Sequence, residues 1–187
     1  MRDDGPHSHE RRFHGGAERL RAPERLALME IARVVQLCVE GVDMSSVLDV
    51  GTGTGIFAEA FASRSLRVTG IDPNSELLDV ARGLVPGGTF VEAMAEKLSF
   101  DDASFDLVFL GHVLHETENP NAALREARRV AKKRVAILEW PYRKEEMGPP
   151  LEHRLQSARI MDLARHTGFT VIKRIKLAHM DFYRLTP

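Results

Sequence analysis

The sequence predicts an α/β fold: a doubly wound, mostly parallel sheet of seven strands, with helices on both faces and an antiparallel last hairpin. Three observations predict it. Short apolar runs alternate with helix-period segments through most of the 187 residues. One such run ends in Gly51, Gly53 and Gly55, the sharp turn of a strand feeding the N-terminus of a helix. The last two apolar runs, 169–177 and 180–185, stand too close together for a crossover helix, so one of them runs antiparallel.

In chain order, residues 1–22 are polar and carry Gly5, Pro6, Gly15 and Gly16, which reads as a flexible arm ahead of a single domain over 23–187. His7, His9 and His14 lie in that arm and read as solvated, because a tail offers no outer groups to orient metal-binding imidazoles. Pro23 suits a first helical turn, and Leu26, Met29, Ile31, Val34, Val35 and Leu37 recur at helical spacing, so 23–40 reads as one helix. Strands follow at 47–50, 67–72, 89–92, 105–110 and 134–139. Between them lie helices at 56–64, at 75–82 and at 120–131, the last opened by Asn119 and Pro120. A helix over 156–167 stops at Gly168, the usual left-handed glycine after a helix.

Composition narrows the function. A hydrophobic share of 43% and a charged share of 28% are ordinary for a globular domain. The net charge of −1 gives no global electrostatic case for nucleic acid. The single cysteine, Cys38, excludes an intrachain disulfide and a cysteine-only metal site, and reads as a small buried hydrophobe. No run approaches a membrane span and no signal peptide opens the chain, so the expectation is a cytoplasmic protein with neither membrane nor nucleic acid as partner and no metal.

The glycine turn is built to hold a cofactor, and two cofactors compete for it. A dinucleotide loop reads G-x-G-x-x-G with an acid some 20 residues on. Here the spacing is G-x-G-x-G, and Asp72 supplies the distal acid for ribose hydroxyls. Asp49 decides between them. A carboxylate just before the first glycine repels a pyrophosphate and suits a ligand carrying an ammonium or sulfonium.

At these residues the chain resembles a known family. Asp49-Val50-Gly51-Thr52-Gly53-Thr54-Gly55 resembles the first motif of class I S-adenosylmethionine-dependent methyltransferases, and Gly70-Ile71-Asp72-Pro73-Asn74 their second. Ala95-Glu96-Lys97-Leu98-Ser99-Phe100, followed by Phe105-Asp106-Leu107-Val108, resembles a stretch of the small-molecule branch that includes the ubiquinone- and menaquinone-biosynthesis type. The resemblance implies a Rossmann-like seven-stranded sheet, S-adenosyl-L-methionine as cofactor and a small-molecule methyl acceptor. It implies a cofactor site of Asp49, Gly51, Thr52, Gly53, Gly55, Asp72, Pro73, Met94, Ala95, Glu96, Gly111 and His112. One position departs from the pattern: Met94 stands where the branch commonly carries an Asp for the adenine amino group, which leaves backbone groups around Ala95 and apolar packing to recognise adenine.

Several residues keep two readings. Asn74 either caps the next helix or touches ligand, and Glu96 lies either near adenine or in solvent. His115 is either a general base that takes a proton from the acceptor or a histidine bonded to a loop backbone. Glu116 and Trp140 join His115 as expected substrate contacts, and the stiff 147–150 loop reads as a lid. The charges of 125–134 read as a solvated helix face. A non-catalytic cofactor-binding protein of the same fold is the alternative to an enzyme, and a nicotinamide-dependent oxidoreductase is a third reading that Asp49 opposes.

Overall fold

The computed structural model describes residues 16–187, so the three arm histidines and most of the expected arm lie outside the described residues. Within its last residues a helical turn, α1 (Ala17–Leu20), buries Leu20.

Seven strands form one sheet: β1 (Ser46–Val50), β2 (Arg67–Asp72), β3 (Thr89–Glu92), β4 (Phe105–Gly111), β5 (Ala131–Glu139), β6 (Val171–Lys176) and β7 (Asp181–Thr186). Their order is β3-β2-β1-β4-β5-β7-β6. The first five run parallel, and β7 pairs antiparallel with both β5 and β6, as the short 177–180 link requires.

Strand residues alternate between two cores. Val47, Leu107, Phe109, Ala136 and Leu138 face α3 (Ile31–Val39), α4 (Ile56–Ala62) and α5 (Ser75–Leu84), with Phe57 and Phe61 against the Phe109 ring at centroid distances of 4.7 and 5.4 Å. Leu48, Val50, Val108, Leu110, Val135 and Ile137 face α6 (Pro120–Val130) and α7 (Ser157–His166). The central strands are apolar on both sides because both faces are covered. Cys38 is fully buried in the first core, where burial pushes its thiol pKa up.

Two expectations about the helices change. The stretch 23–40 is two helices, α2 (Pro23–Leu28) and α3, because Glu30 takes a left-handed φ of 46°. Its carboxylate accepts the N–H of Ala178, 148 residues away, at 2.7 Å. The basic stretch 125–134, which runs from α6 into β5, is not wholly a solvated face. Arg134 is buried and donates to the carbonyls of Cys38 and Glu40, and Arg129 donates to the carbonyls of Leu98 and Phe100. Strand β5 accordingly begins at Ala131, three residues earlier than its apolar pattern suggests.

Candidate functional site

Strands β1 and β4 are neighbours, yet the chain leaves β1 towards β2 and leaves β4 towards β5. The loops after them part, and a cleft of about 500 Å³ opens between them at the carboxyl edge of the sheet.

Gly51 and Gly53 line it, with φ of 66° and 52°. A Cβ on Gly51 would lie 2.1 Å from Val113 Cγ2, so both the backbone hand and the neighbour demand glycine there. Gly55, with φ 79°, faces α5 instead: a Cβ there would meet the Ala81 Cβ at 3.0 Å. It is a packing glycine at the start of α4, away from the cleft wall.

Asp72 closes β2 and lines the cleft. One carboxylate oxygen accepts the Gly53 N–H and the other the Asn74 N–H, both at 2.9 Å. Burial raises its pKa and these two donors oppose the rise. Each oxygen keeps a lone pair for a further donor, such as a sugar hydroxyl. Of the two readings of Asn74, the structure shows the cap. Its side chain caps α5 by accepting the Glu76 and Leu77 N–H groups, and the residue lines the cleft.

Asp49 and Thr52 sit beneath the loop and away from its surface. Thr52 Oγ1 donates to Asp49 Oδ2 at 2.7 Å, and both are buried. Burial pushes the Asp49 pKa up to about 7 against the pull of that hydrogen bond. The carboxyl group lies under the loop and not in the cleft wall.

Pro73, Met94, Ala95 and Glu96 form the wall beyond β2 and β3. The Glu96 carboxylate is structural as well: Oε1 accepts the Glu118 and Asn119 N–H groups at 3.0 and 3.4 Å and ties this wall to the start of α6. Opposite lie Gly111, His112, Val113 and Glu116. His112 holds a left-handed φ of 60° without being glycine, with its N–H on the Leu138 carbonyl. Its ring lies 5.3 Å from Trp140 and its Nε2 3.3 Å from Met180 Sδ. Burial drives its pKa well down, helped by the positive Arg25 and His115, so the ring is neutral.

The structure does not bring His115 or Trp140 to the cleft wall. His115 is buried, with Nδ1 2.7 Å from Glu139 Oε2 and its backbone N–H on Glu139 Oε1. Burial lowers its pKa, but the Glu139 carboxylate outweighs this and holds the imidazole above its ordinary value. Trp140 is 3% exposed and packed between His112, Gly148 and the Arg154 guanidinium. The 147–150 loop is pinned: Arg154 donates to the carbonyls of Pro141, Arg143, Met147 and Pro149.

Sequence reasoning missed Glu139, Val113 and two cleft residues from the N-terminal helices, Leu20 and Arg25. Burial lowers the Arg25 pKa, with Glu116 as its negative counterpart. Glu139 carried a signal of its own, an acid closing an apolar strand at the same edge as Asp72. Among the described residues no three metal-ligating side chains cluster, and no helix is long and apolar enough to cross a membrane.

Comparison with known proteins agrees with this geometry. Residues 48–138 match the family model of the methyltransferase domain. The demethylmenaquinone methyltransferase of Thermotoga maritima is 37% identical over 111 residues, 57% of this chain and 48% of the relative. That of Chlorobaculum tepidum is 39% identical over 95 residues, 50% of this chain and 39% of the relative. The chain thus spans half or less of the length of these curated relatives. A methyltransferase structure from Aquifex aeolicus, described as S-adenosylmethionine-dependent, superposes with a TM-score of 0.79 at 23% identity, covering 90% of this chain and 95% of that one. Phosphoethanolamine N-methyltransferase 2 of Haemonchus contortus, solved with S-adenosyl-L-methionine, gives a TM-score of 0.72 at 16% identity over 84% of this chain and 52% of that one. These two share the fold. Over residues 48–138, just under half of the chain, the sequence is similar to a methyltransferase domain. S-adenosylmethionine suits the residues present: a glycine floor that a Cβ would fill, a carboxylate at the end of β2, and a buried acid beneath the loop.

Proposed function

We propose that this chain is a class I S-adenosylmethionine-dependent methyltransferase and transfers the methyl group to a small-molecule acceptor of the quinone type for which its curated relatives are named. One observation carries the reading. The glycine floor, the Asp72 carboxylate and the loop after β4 meet in one cleft at the switch point, large enough for the cofactor and a small acceptor.

The bound cofactor supplies a methyl carbon already activated by its sulfonium, so the protein's task is alignment and water exclusion. Alignment of this kind supplies ~7–11 kcal/mol in well-oriented cases. Gly51 and Gly53 let the methionine portion approach the backbone, while Asp49, held by Thr52 beneath them, places under its cationic end a carboxyl group that ionises near pH 7. Asp72 accepts the ribose hydroxyls. Pro73, Met94, Ala95 and Glu96 enclose the adenine, with Met94 contributing packing in place of a carboxylate. Gly111 and neutral His112 border the methyl group.

Calorimetric titration with S-adenosylmethionine, S-adenosylhomocysteine and NADH tests this. Binding of both adenosyl ligands without NADH is the expected result. Binding of NADH alone, or of none of the three to folded protein, overturns it.

A further inference from the structure

The cleft is uneven in charge. Among the described residues that line it, Asp72, Glu76, Glu96 and Glu116 are acids, His112 is neutral, and Arg25 is the one cationic side chain. The cofactor proposed above brings charges of both signs. Besides its sulfonium, its methionine portion ends in an ammonium and a carboxylate. A carboxylate entering among four acids needs a cation. We infer that Arg25 receives that carboxylate, which makes the first turn of α2 part of cofactor recognition. This rests on the methyltransferase reading above.

Local structure puts Arg25 at the methionine end. Arg21 donates to the Thr54 carbonyl at 2.9 Å and pairs with Glu59 at 3.2 Å, so the chain ahead of α2 is tied to the glycine loop and to α4. Leu20, beside it, lies 3.3 Å from where a Gly53 Cβ would stand. Pro23 then opens α2, and Arg25 follows in its first turn, half-buried. Its charge reaches the opposite wall. Glu116 is its negative counterpart, and Arg25 helps to drive the His112 pKa down. Arg25 thus shares one cleft with the glycine floor and the loop after β4, the two elements that enclose the methionine portion.

The Glu116 contact fits this role. A guanidinium presents five N–H donors in a planar fork, enough to serve two carboxylates, and it meets a carboxylate at two points. Other donors at this end have partners already: Arg21 holds the Thr54 carbonyl and Glu59, and the Gly53 N–H goes to Asp72. The uneven charge also sets a preference between ligands. Decarboxylated S-adenosylmethionine keeps the ammonium and the sulfonium, so it is the more cationic of the two. Four carboxylates by themselves favour that ligand. A preference for the intact cofactor therefore has to come from a cation placed at its carboxylate, and Arg25 is the cation in the cleft.

The test measures Kd by calorimetry on the whole chain, with S-adenosylmethionine and its decarboxylated form against wild type and Arg25→Met. Wild type is expected to bind the intact cofactor ~10-fold or more tightly than the decarboxylated one. In Arg25→Met that ratio is expected to shrink to within about threefold or to reverse. Arg25→Lys keeps the charge without the fork and should retain part of it. An Arg25 that only packs α2 against the cleft would weaken both ligands alike and leave the ratio in place. An unchanged ratio in folded Arg25→Met overturns the assignment. So does wild-type protein that binds the two ligands within about threefold of each other, or the decarboxylated one more tightly, a result that needs no variant. In either case the cofactor reading stands, because an adenosyl ligand has bound. Folded wild-type protein that binds neither ligand removes both.

Discussion

Two loops leave the carboxyl ends of neighbouring strands and build the cleft by opposite means. The loop after β1 is shaped by its own backbone, with left-handed glycines and one N–H held by Asp72. The loop after β4 is shaped by side chains, with His115 anchored to Glu139 across 24 residues and His112 stacked on Trp140. Any ligand can approach bare backbone, so the first loop suits a cofactor common to many proteins. The second presents Val113 and Glu116 on a rigid, side-chain-locked base, which suits recognition of one acceptor. One half of the site is thus generic and the other particular.

That contrast breaks most sharply at Glu139. Glu139→Ala leaves an imidazole buried without its counter-charge, and is expected to cost ~3–5 kcal/mol in chemical denaturation. Binding of S-adenosylhomocysteine to the folded fraction should change far less. The stability that His115 draws from the pair is fully present below its unfolded pKa of about 6.5 and is lost as pH rises through its higher folded value. The gap between wild type and variant should therefore narrow above neutrality.

The next effect tests whether the β1 loop depends on backbone alone. Asp49 is a buried acid beneath it, with a folded pKa of about 7 against ~3.9 in an unfolded chain. Between those values the folded protein keeps a proton that the unfolded chain has released, so stability falls as pH rises through that window. Asp49→Asn should flatten this decline in a series of denaturation curves.

Gly51→Ala comes third. Left-handed strain alone costs ~1–3 kcal/mol, and the new methyl must also displace Val113. S-adenosylhomocysteine affinity should fall by roughly tenfold or more, whereas Gly53→Ala, which meets only the movable end of Leu20 at 3.3 Å, should lose less. The smallest effect belongs to the cap of α5: Asn74→Ala should lower stability by ~1 kcal/mol, read as a shift in Tm.

The sheet was legible because its strands carry short apolar runs, and several helices open or close on a residue with a local reason to be there. Asn74, Asn119 and Gly168 cap or stop helices where the sequence places them. What misled was non-local. No local pattern marks the left-handed Glu30 that ends the helix, whose carboxylate meets the Ala178 N–H. Nothing near Arg134 marks it as buried, because its partners are the carbonyls of Cys38 and Glu40. The 147–150 loop has the composition of a lid and is tied down by one guanidinium.

In the site the division is the same. The sequence by itself determined the glycine floor and the acid at the end of β2, because φ > 0 and a strand end facing a ligand are demands on single residues and their immediate neighbours. Only the tertiary structure decided that Asp49 lies under the floor, that Trp140 is core, and that His115 stands behind Glu116 with Glu139 at its back. Those facts depend on which strand ends the sheet sets side by side. Burial and charge pairing between distant residues are properties of that packing, and no local pattern encodes them.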